Sequence, residues 1–123
     1  MGSRDRKDAG DRAERVALSH LLAAGLQLVT RNYRCKAGEV DLVMLEGEIL
    51  VLVEVRFRRN ALFGGAAASV IHRKRRRLIK TAHHLLLTRS SLRRYPARFD
   101  VVAIDGSVDG ALQVDWIKDA FRV

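Results

Sequence analysis

A chain of 123 residues is the size of one domain, and a hydrophobic content of 48% is enough for a folded core without disulfides. No apolar run approaches the ~20 residues of a membrane span, and the charged N-terminus lacks the apolar segment of a secretory signal. The single cysteine, Cys35, excludes an internal disulfide and a cysteine-rich zinc site. We therefore expect a cytoplasmic protein with a flexible tail over residues 1–9 and a single domain over residues 10–123.

The first predicted element is a helix. Asp11 is a suitable N-cap, apolar residues recur at helical spacing from Ala13 to Leu22, and Gly25 ends the pattern. At 100° per residue, Glu14 falls in the middle of the apolar arc. It either completes a capping box with Asp11 or points at a polar site beneath the helix, and both interpretations remain open.

Three strands follow in the sequence. Residues 26–33 alternate as a first strand, and two apolar segments, residues 38–45 and 49–56, flank a turn centred on Gly47. This pattern is typical of a β-hairpin. Each hairpin segment carries a carboxylate within its apolar run, Asp41 in the first and Glu54 in the second.

The hairpin carboxylates suggest a site. Asp41 lies six residues before Gly47 and Glu54 seven after it, so the two side chains are predicted to be opposite or one step diagonal. A buried charge costs several kcal/mol unless it is paired or binds a metal. The pair therefore indicates a hard-cation site, with salt bridges to nearby arginines as the alternative.

The second half of the chain is predicted to contain a glycine-rich loop over residues 60–68, a helix over residues 70–87 capped by Ser69, and a basic loop over residues 90–97. Two strands close the chain, at residues 98–104 and 111–117, with Asp-Gly turns between them.

The polar face of the second predicted helix carries basic residues and no acidic residue. Its helical phase puts Lys74 and Arg75 within the apolar arc, so Lys74 either extends its ammonium to solvent or reaches a site. The opposite face carries five basic residues suited to phosphate contacts or to plain solvation: Arg73, Arg76, Arg77, Lys80 and His84.

The charge distribution indicates the partner. The formal net charge is +9, and the stretch from Val55 to Phe99 contains 13 Lys or Arg residues and no Asp or Glu. A basic block beside paired carboxylates favours a polyanion that shares a metal. We expect nucleic acid, DNA in particular, rather than a membrane, and a homodimer is left open. The alternatives for the block are a solvated face and binding to anionic lipid.

These features occur together in a recognisable order. The motifs are Gly10-x3-Glu14, Arg31-Asn32-Tyr33-Arg34, Gly38-Glu39-Val40-Asp41, Val53-Glu54-Val55-Arg56-x-Arg58, Lys74, Arg98-Phe99-Asp100-Val101-Val102 and Ile117-x2-Ala120-Phe121. Over roughly residues 10–121 the chain resembles the YraN family, also called UPF0102. That family is similar to the restriction-endonuclease-like superfamily, which includes Holliday junction resolvases. The resemblance implies an α/β fold with a core of order α-β-β-β-α-β and a central mixed sheet flanked by helices.

The resemblance also implies a catalytic set. Glu14, Asp41, Glu54 and Arg56 match the superfamily pattern of an acid, an Asp and then Glu-x-Lys. Asp41, Glu54 and the carbonyl of Val55 would then hold Mg²⁺ or Mn²⁺, with Glu14 binding through water or orienting the attacking water.

Arg56 departs from that pattern, which expects lysine. Arginine cannot act as a base in a protein, although it can hold a phosphate with two hydrogen bonds. Lys74 is the candidate for the missing ammonium.

Two hypotheses about function follow. In the first, the protein is a metal-dependent nuclease that cleaves DNA, branched or otherwise structured DNA in particular. In the second, it is a nucleic-acid-binding module without hydrolysis, and a subunit that assembles through a sheet edge is a third idea. The nucleic-acid-binding residues are expected to be Arg58, Arg59, Arg73, Arg76, Arg77 and Lys80.

Overall fold

The computed structural model describes residues 3–58, 72–106 and 112–121. In chain order the elements are helix α1 (Ser3–Ala23), strands β1 (Gln27–Cys35), β2 (Gly38–Glu46) and β3 (Ile49–Arg58), helix α2 (His72–Thr88), a 3-10 helix (Ser90–Arg94), and strands β4 (Ala97–Gly106) and β5 (Leu112–Phe121). The predicted α/β class and the order α-β-β-β-α-β are confirmed, and the predicted fifth strand follows them.

One five-stranded sheet organises the molecule, with the strands in the order β1-β2-β3-β4-β5. The β3–β4 pair is parallel and the other three pairs are antiparallel, so the sheet is mixed, as predicted. A parallel pair requires a crossover connection, and the segment containing α2 supplies it.

Each face of the sheet is covered by one helix. Ala13, Ala17 and Leu21 of α1 are buried in one hydrophobic cluster with residues of β2, β3 and β4. On the other face, Leu78 and Leu85 of α2 are buried in a second cluster. Both helices therefore bury much of the apolar stripe that their sequences predicted, but Leu22, the last apolar residue predicted for α1, is 47% exposed.

The first helix begins earlier than its cap pattern indicated. It starts at Ser3, so Asp11 lies inside α1 and is not its N-cap. The capping box with Glu14 is therefore wrong, because a capping box requires a helix start at Asp11. Residues 3–9 are helical in backbone, while the flexibility predicted for residues 1–9 stays a prediction.

Other boundaries moved by a few residues. The basic segment after α2 contains the 3-10 helix, and Asp105 and Gly106, predicted as a turn, belong to β4. The glycine-rich loop over residues 60–68, the Ser69 cap and the Asp109-Gly110 turn lie outside the described residues.

Both edge strands are irregular. The register of β1 against β2 shifts between Leu28 and Thr30, and Asn32 of β1 has a φ of 55°. On the opposite edge, the pairing of β4 with β5 shifts between Phe99 and Val101, and Asp119 of β5 has a φ of 53°. A positive φ in a residue other than glycine breaks the regular pleat.

In the described part of the chain, neither helix combines the length and the apolar character that crossing a bilayer requires.

Candidate active site

The β2–β3 hairpin places the two predicted carboxylates side by side. Its register pairs Leu42 with Val53, and Asp41 and Glu54 are the next residue of each strand. The amide of Val55 donates a hydrogen bond of 2.8 Å to Oδ2 of Asp41. The Asp41 side chain, instead of a backbone carbonyl of β2, thus accepts the Val55 amide next to the last described pair of the two strands, Leu42 and Val53.

Strand β2 changes its alternation at Asp41. Val40 and Val43 both belong to the cluster beneath α2, whereas Leu42 belongs to the cluster beneath α1. A regular strand would place residues 40 and 42 on the same face. The irregularity allows Asp41 to contact Glu54 and also to line a cavity on the α1 side of the sheet.

The carboxyl of Asp41 retains its proton well above the ordinary range of an aspartate. Burial and, second, the negative charge of Glu54 raise the pKa of Asp41 to about 8, although the Val55 amide opposes this shift. At neutral pH Asp41 is therefore largely protonated beside Glu54.

Two cations approach Glu54, whose side chain is only 6% exposed. Nζ of Lys74 lies 2.5 Å from Oε1 of Glu54, while Nη1 of Arg56 lies 3.8 Å from the same oxygen. The structure thus places Lys74 at the site, as its position on the inward face of α2 suggested. Its amine is the closer of these two cations to the acid.

Glu14 approaches the site from α1. Its side chain is 14% exposed, and Nη2 of Arg31 lies 3.8 Å from its Oε1. This oxygen is buried and has no hydrogen-bond partner among the described residues. Burial raises the pKa of Glu14, partly offset by a hydrogen bond with the Asn32 side chain and by the Arg31 charge.

A polar cavity of about 300 Å³ lies between Glu14 and Asp41, and Glu54 is not among the residues that line it. It is open to solvent, and its lining includes Glu14, Asn32, Glu39, Asp41 and Val55. The start of β2, the end of β3 and the N-terminal half of α1 thus meet around one polar space.

The fit to a metal ion is partial. Among the described residues, no three His, Cys, Asp or Glu side chains converge as a ready-made metal site. Asp41 and Glu54 are adjacent, however, and Mg²⁺ commonly binds through one or two carboxylates while it keeps several waters. The pair and the open polar cavity therefore fit a partly hydrated hard cation, with Glu14 in an outer position.

The structure describes the side chains of only some of the predicted nucleic-acid-binding residues. Arg76, Arg77 and Lys80 are exposed on α2. The backbones of Arg58 and Arg73 lie in β3 and α2, but their side chains and all of Arg59 lie outside the described residues. Arg75 does not join this face, because its guanidinium carbon lies 5.3 Å from the centre of the Phe121 ring.

Another buried carboxylate, Asp100 of β4, received no role from the sequence. It is fully buried and accepts hydrogen bonds from Arg98 Nε at 3.0 Å and Nη2 at 3.2 Å, from Trp116 Nε1 at 2.9 Å and from the Asp119 amide at 2.9 Å. The signal in the sequence was an acid within an apolar strand, the same signal that marked Asp41 and Glu54. Its partners show that Asp100 is structural.

Fold and site together define a small α/β protein with a mixed sheet, a hairpin acid pair and a basic helix beside it. The profile of the family described as "Uncharacterised protein family UPF0102" matches residues 13–104, a range that includes Glu14, Asp41, Glu54, Arg56 and Lys74. This chain belongs to the UPF0102 family.

Relatives match it along nearly their whole length. A UPF0102 protein of Saccharophagus degradans is 46% identical over 116 residues, 94% of each chain. One of Pseudomonas putida strain W619 is 50% identical over 114 residues, 93% of each chain. One of Pseudomonas fluorescens strain Pf0-1 is 47% identical over 121 residues, 98% of each chain.

Proposed function

We propose that this protein binds DNA and hydrolyses its phosphodiester bonds with Mg²⁺ or Mn²⁺, branched or otherwise structured DNA in particular. The observation that carries the proposal is the pair of adjacent acids on the hairpin: Asp41 lines a polar cavity open to solvent, and Glu54 lies 2.5 Å from Lys74. Two buried carboxylates in contact repel each other when both are ionised, and a divalent cation relieves that repulsion as a proton does.

Different residues of the chain have different roles in the proposed reaction. Asp41, Glu54 and the carbonyl of Val55 would hold the cation, which supplies an activated water and neutralises charge that develops on the phosphate. Glu14, whose side chain lines the cavity and whose Oε1 accepts no hydrogen bond among the described residues, would accept one from a water there and so orient it.

Lys74 and Arg56 are the residues proposed to bind the substrate phosphate. Lys74, whose Nζ lies 2.5 Å from Oε1 of Glu54, would contact a phosphate oxygen of the substrate. Arg56, 3.8 Å from the same carboxylate, presents a planar fork that binds phosphate with two hydrogen bonds. Both would stabilise the extra negative charge of the transition state.

Membership in the restriction-endonuclease-like superfamily is part of this proposal. Its support is the order of the elements and the position of the acids, one on each strand of the β2–β3 hairpin. The basic face of α2 next to the acids supports DNA as the substrate.

A second candidate is a nucleic-acid-binding module that does not hydrolyse its ligand. Two observations favour it: Arg56 stands where the superfamily pattern expects lysine, and no three metal-ligating side chains converge among the described residues. In this alternative the Lys74–Glu54 ion pair is a permanent structural contact.

Metal titration separates the two candidates. Isothermal calorimetry with Mn²⁺ should give one site in the wild type, and Asp41→Asn and Glu54→Gln should each abolish it. Glu48→Gln is the matched control, because Glu48 is an exposed acid in the turn of the same hairpin. A wild type that binds no Mn²⁺ would leave only the binding module.

Cleavage is then assayed on labelled linear duplex, single-stranded and four-way-junction DNA with Mn²⁺. The nuclease proposal requires products that disappear in Asp41→Asn and persist in Glu48→Gln. Binding of any of these forms without cleavage would support the second candidate.

A further inference from the structure

A second cavity, which the proposed reaction does not use, lies between the β1–β2 turn and the C-terminal half of α2. Its volume is about 500 Å³, and its lining includes Lys36, Lys80, His83, His84 and Leu87. All five are exposed, Leu87 to 71% of its surface. No acidic residue is among the described residues that line it. We call this cavity the hairpin groove.

The ring of His84 in the hairpin groove is held by a hydrogen bond. His84 Nδ1 is hydrogen-bonded to the hydroxyl of Tyr33, and the two ring centres are 5.9 Å apart. The Tyr33 hydroxyl also lies 3.3 Å from Oγ1 of Thr88. The ring of His84, together with the exposed side chains of His83 and Leu87, forms a surface on which flat groups can pack.

Helix α2 connects this groove to the candidate active site. Lys74 contacts Glu54 at the start of the helix, a Cβ added to Gly38 would lie 3.3 Å from Oγ1 of Thr81 in its middle, and His84 contacts Tyr33 near its end. Ten residues separate Lys74 from His84, which is about 15 Å along a helix. Exposed Arg77 and Lys80 lie between them, so positive charge continues along the path.

We propose that the hairpin groove binds a single-stranded segment of the nucleic acid next to the scissile phosphate. This inference rests on the proposed function and extends it to the substrate: a strand that leaves the active site unpaired. At the ~3.4 Å rise of a stacked strand the 15 Å path would hold at most about four nucleotides, and an unstacked strand, which is more extended, crosses it with fewer.

The chemistry of the lining selects a single strand over a duplex. Lys36 and Lys80 suit phosphates, whereas His83 and Leu87 offer surfaces for bases. Bases reach such surfaces only when they are unstacked, since a duplex hides their faces. A duplex would leave the apolar part of the groove unfilled.

The test compares blunt duplex DNA with duplexes that carry single-stranded extensions shorter or longer than this span. Binding is measured by fluorescence anisotropy in EDTA, so that cleavage does not interfere. The wild type should bind the longer extension more tightly than the blunt duplex. Lys36→Gln with Lys80→Gln should lower the slope of log affinity against log salt by about 1.4 on extended DNA and by less on the blunt duplex, to which only Lys80, on the basic face of α2, contributes.

A second variant tests the bases separately from the charge. His83→Ala with Leu87→Ala should lower affinity for extended DNA about tenfold, the effect of one lost stacking contact, without a change in salt slope. The control for the lysine variant is Arg12→Gln with Arg15→Gln, which removes the same charge from exposed positions on α1. This control should bind extended DNA as the wild type does.

The outcomes distinguish this inference from the proposed function. Equal wild-type affinity for blunt and extended DNA would overturn the groove assignment and leave a duplex-binding protein. Equal losses on both DNA forms in the lysine variant would show that the groove contributes only general charge, and would also overturn it. A wild type that binds neither form would overturn the proposed function itself.

Discussion

Asp41 and Asp100 are both acids in apolar strands, but their surroundings satisfy them in different ways. Asp100 accepts four hydrogen bonds, two of them from a guanidinium, so its charge is fully compensated. Asp41 accepts one backbone amide and faces a second acid. A saturated acid supports the fold, whereas an unsaturated pair stores repulsion that a ligand can relieve.

The raised pKa of Asp41 predicts how metal-free stability changes with pH. The group titrates near 3.8 when unfolded and near 8 when folded, so between these values the folded state binds a proton that the unfolded state lacks. The stability that Asp41 contributes should therefore be present below pH 4 and be lost as pH rises through about 8. Asp41→Asn should remove this dependence, as measured by urea denaturation in EDTA between pH 5 and pH 9.

Asp100→Asn serves as the contrast in the same measurement. It should destabilise the protein by about 3 kcal/mol, since it leaves the Arg98 guanidinium without its buried counter-charge. A loss of similar size in metal-free Asp41→Asn would mean that Asp41 is a structural acid like Asp100.

Arg56→Lys tests which cation serves the reaction. If Arg56 hampers an otherwise competent site, lysine there should raise Mn²⁺-dependent cleavage by about 10²-fold or more, the effect of a positioned acid–base group. If Arg56 grips the phosphate instead, the exchange should lower activity through loss of the two-hydrogen-bond fork. The rate is measured in single-turnover cleavage of labelled DNA.

Lys74→Ala completes that comparison. Because Lys74 Nζ is the closer of the two cations to Glu54, we expect this variant to lose cleavage altogether. Full activity in Lys74→Ala would reduce the ion pair to a packing contact.

At the scale of elements, apolar periodicity was sufficient to predict the hairpin and the buried faces of both helices. The start of α1 escaped prediction, because residues 3–9 are polar and a helix can continue past its apolar stripe when no proline interrupts it. The break in alternation at Asp41 also escaped, since bulges arise from neighbouring strands rather than from local sequence. The same limit hid two of the partners of Asp100, Trp116 and Asp119, which come from β5.

The turn between β1 and β2 depends on one glycine. Gly38 has a φ of 152°, and a Cβ added there would lie 3.3 Å from Oγ1 of Thr81 on α2. Gly38→Ala should therefore cost more than the ~1 kcal/mol of an ordinary alanine at positive φ, because it also pushes α2 away from the sheet. Gly47→Ala is the matched control, since Gly47 has a φ of 60° and no neighbour within 4 Å. Thermal denaturation of both variants measures the difference, and equal losses would exclude the contact with Thr81.

At the scale of the whole molecule, the charge is divided along the chain. The 14 acidic residues all lie outside residues 55–99, which contain 13 of the 23 Lys and Arg residues. The candidate site lies where the basic stretch meets the rest of the chain, with its acids on the hairpin and Lys74 at the start of the basic helix. Such an arrangement attracts a polyanion and places a cation-binding pair beside it.

DNA binding should accordingly weaken steeply with salt. Neutralising six phosphates would reduce affinity about 10³-fold between 50 and 200 mM salt. Arg76→Gln with Arg77→Gln should lower the slope of log affinity against log salt by about 1.8 on duplex DNA, because both side chains are exposed on α2. A slope near zero in the wild type would remove the basic helix from the mechanism.

The irregular edges of the sheet bear on how copies of this chain meet. An open strand edge ordinarily offers a template on which another chain can add a strand, the first step toward fibrils. Here Asn32 and Asp119 interrupt that template, one on each edge, with a reversed φ and a displaced register nearby. We therefore expect edge-to-edge polymerisation to be disfavoured, and a dimer of this chain to form through its helices or loops rather than by extension of the sheet.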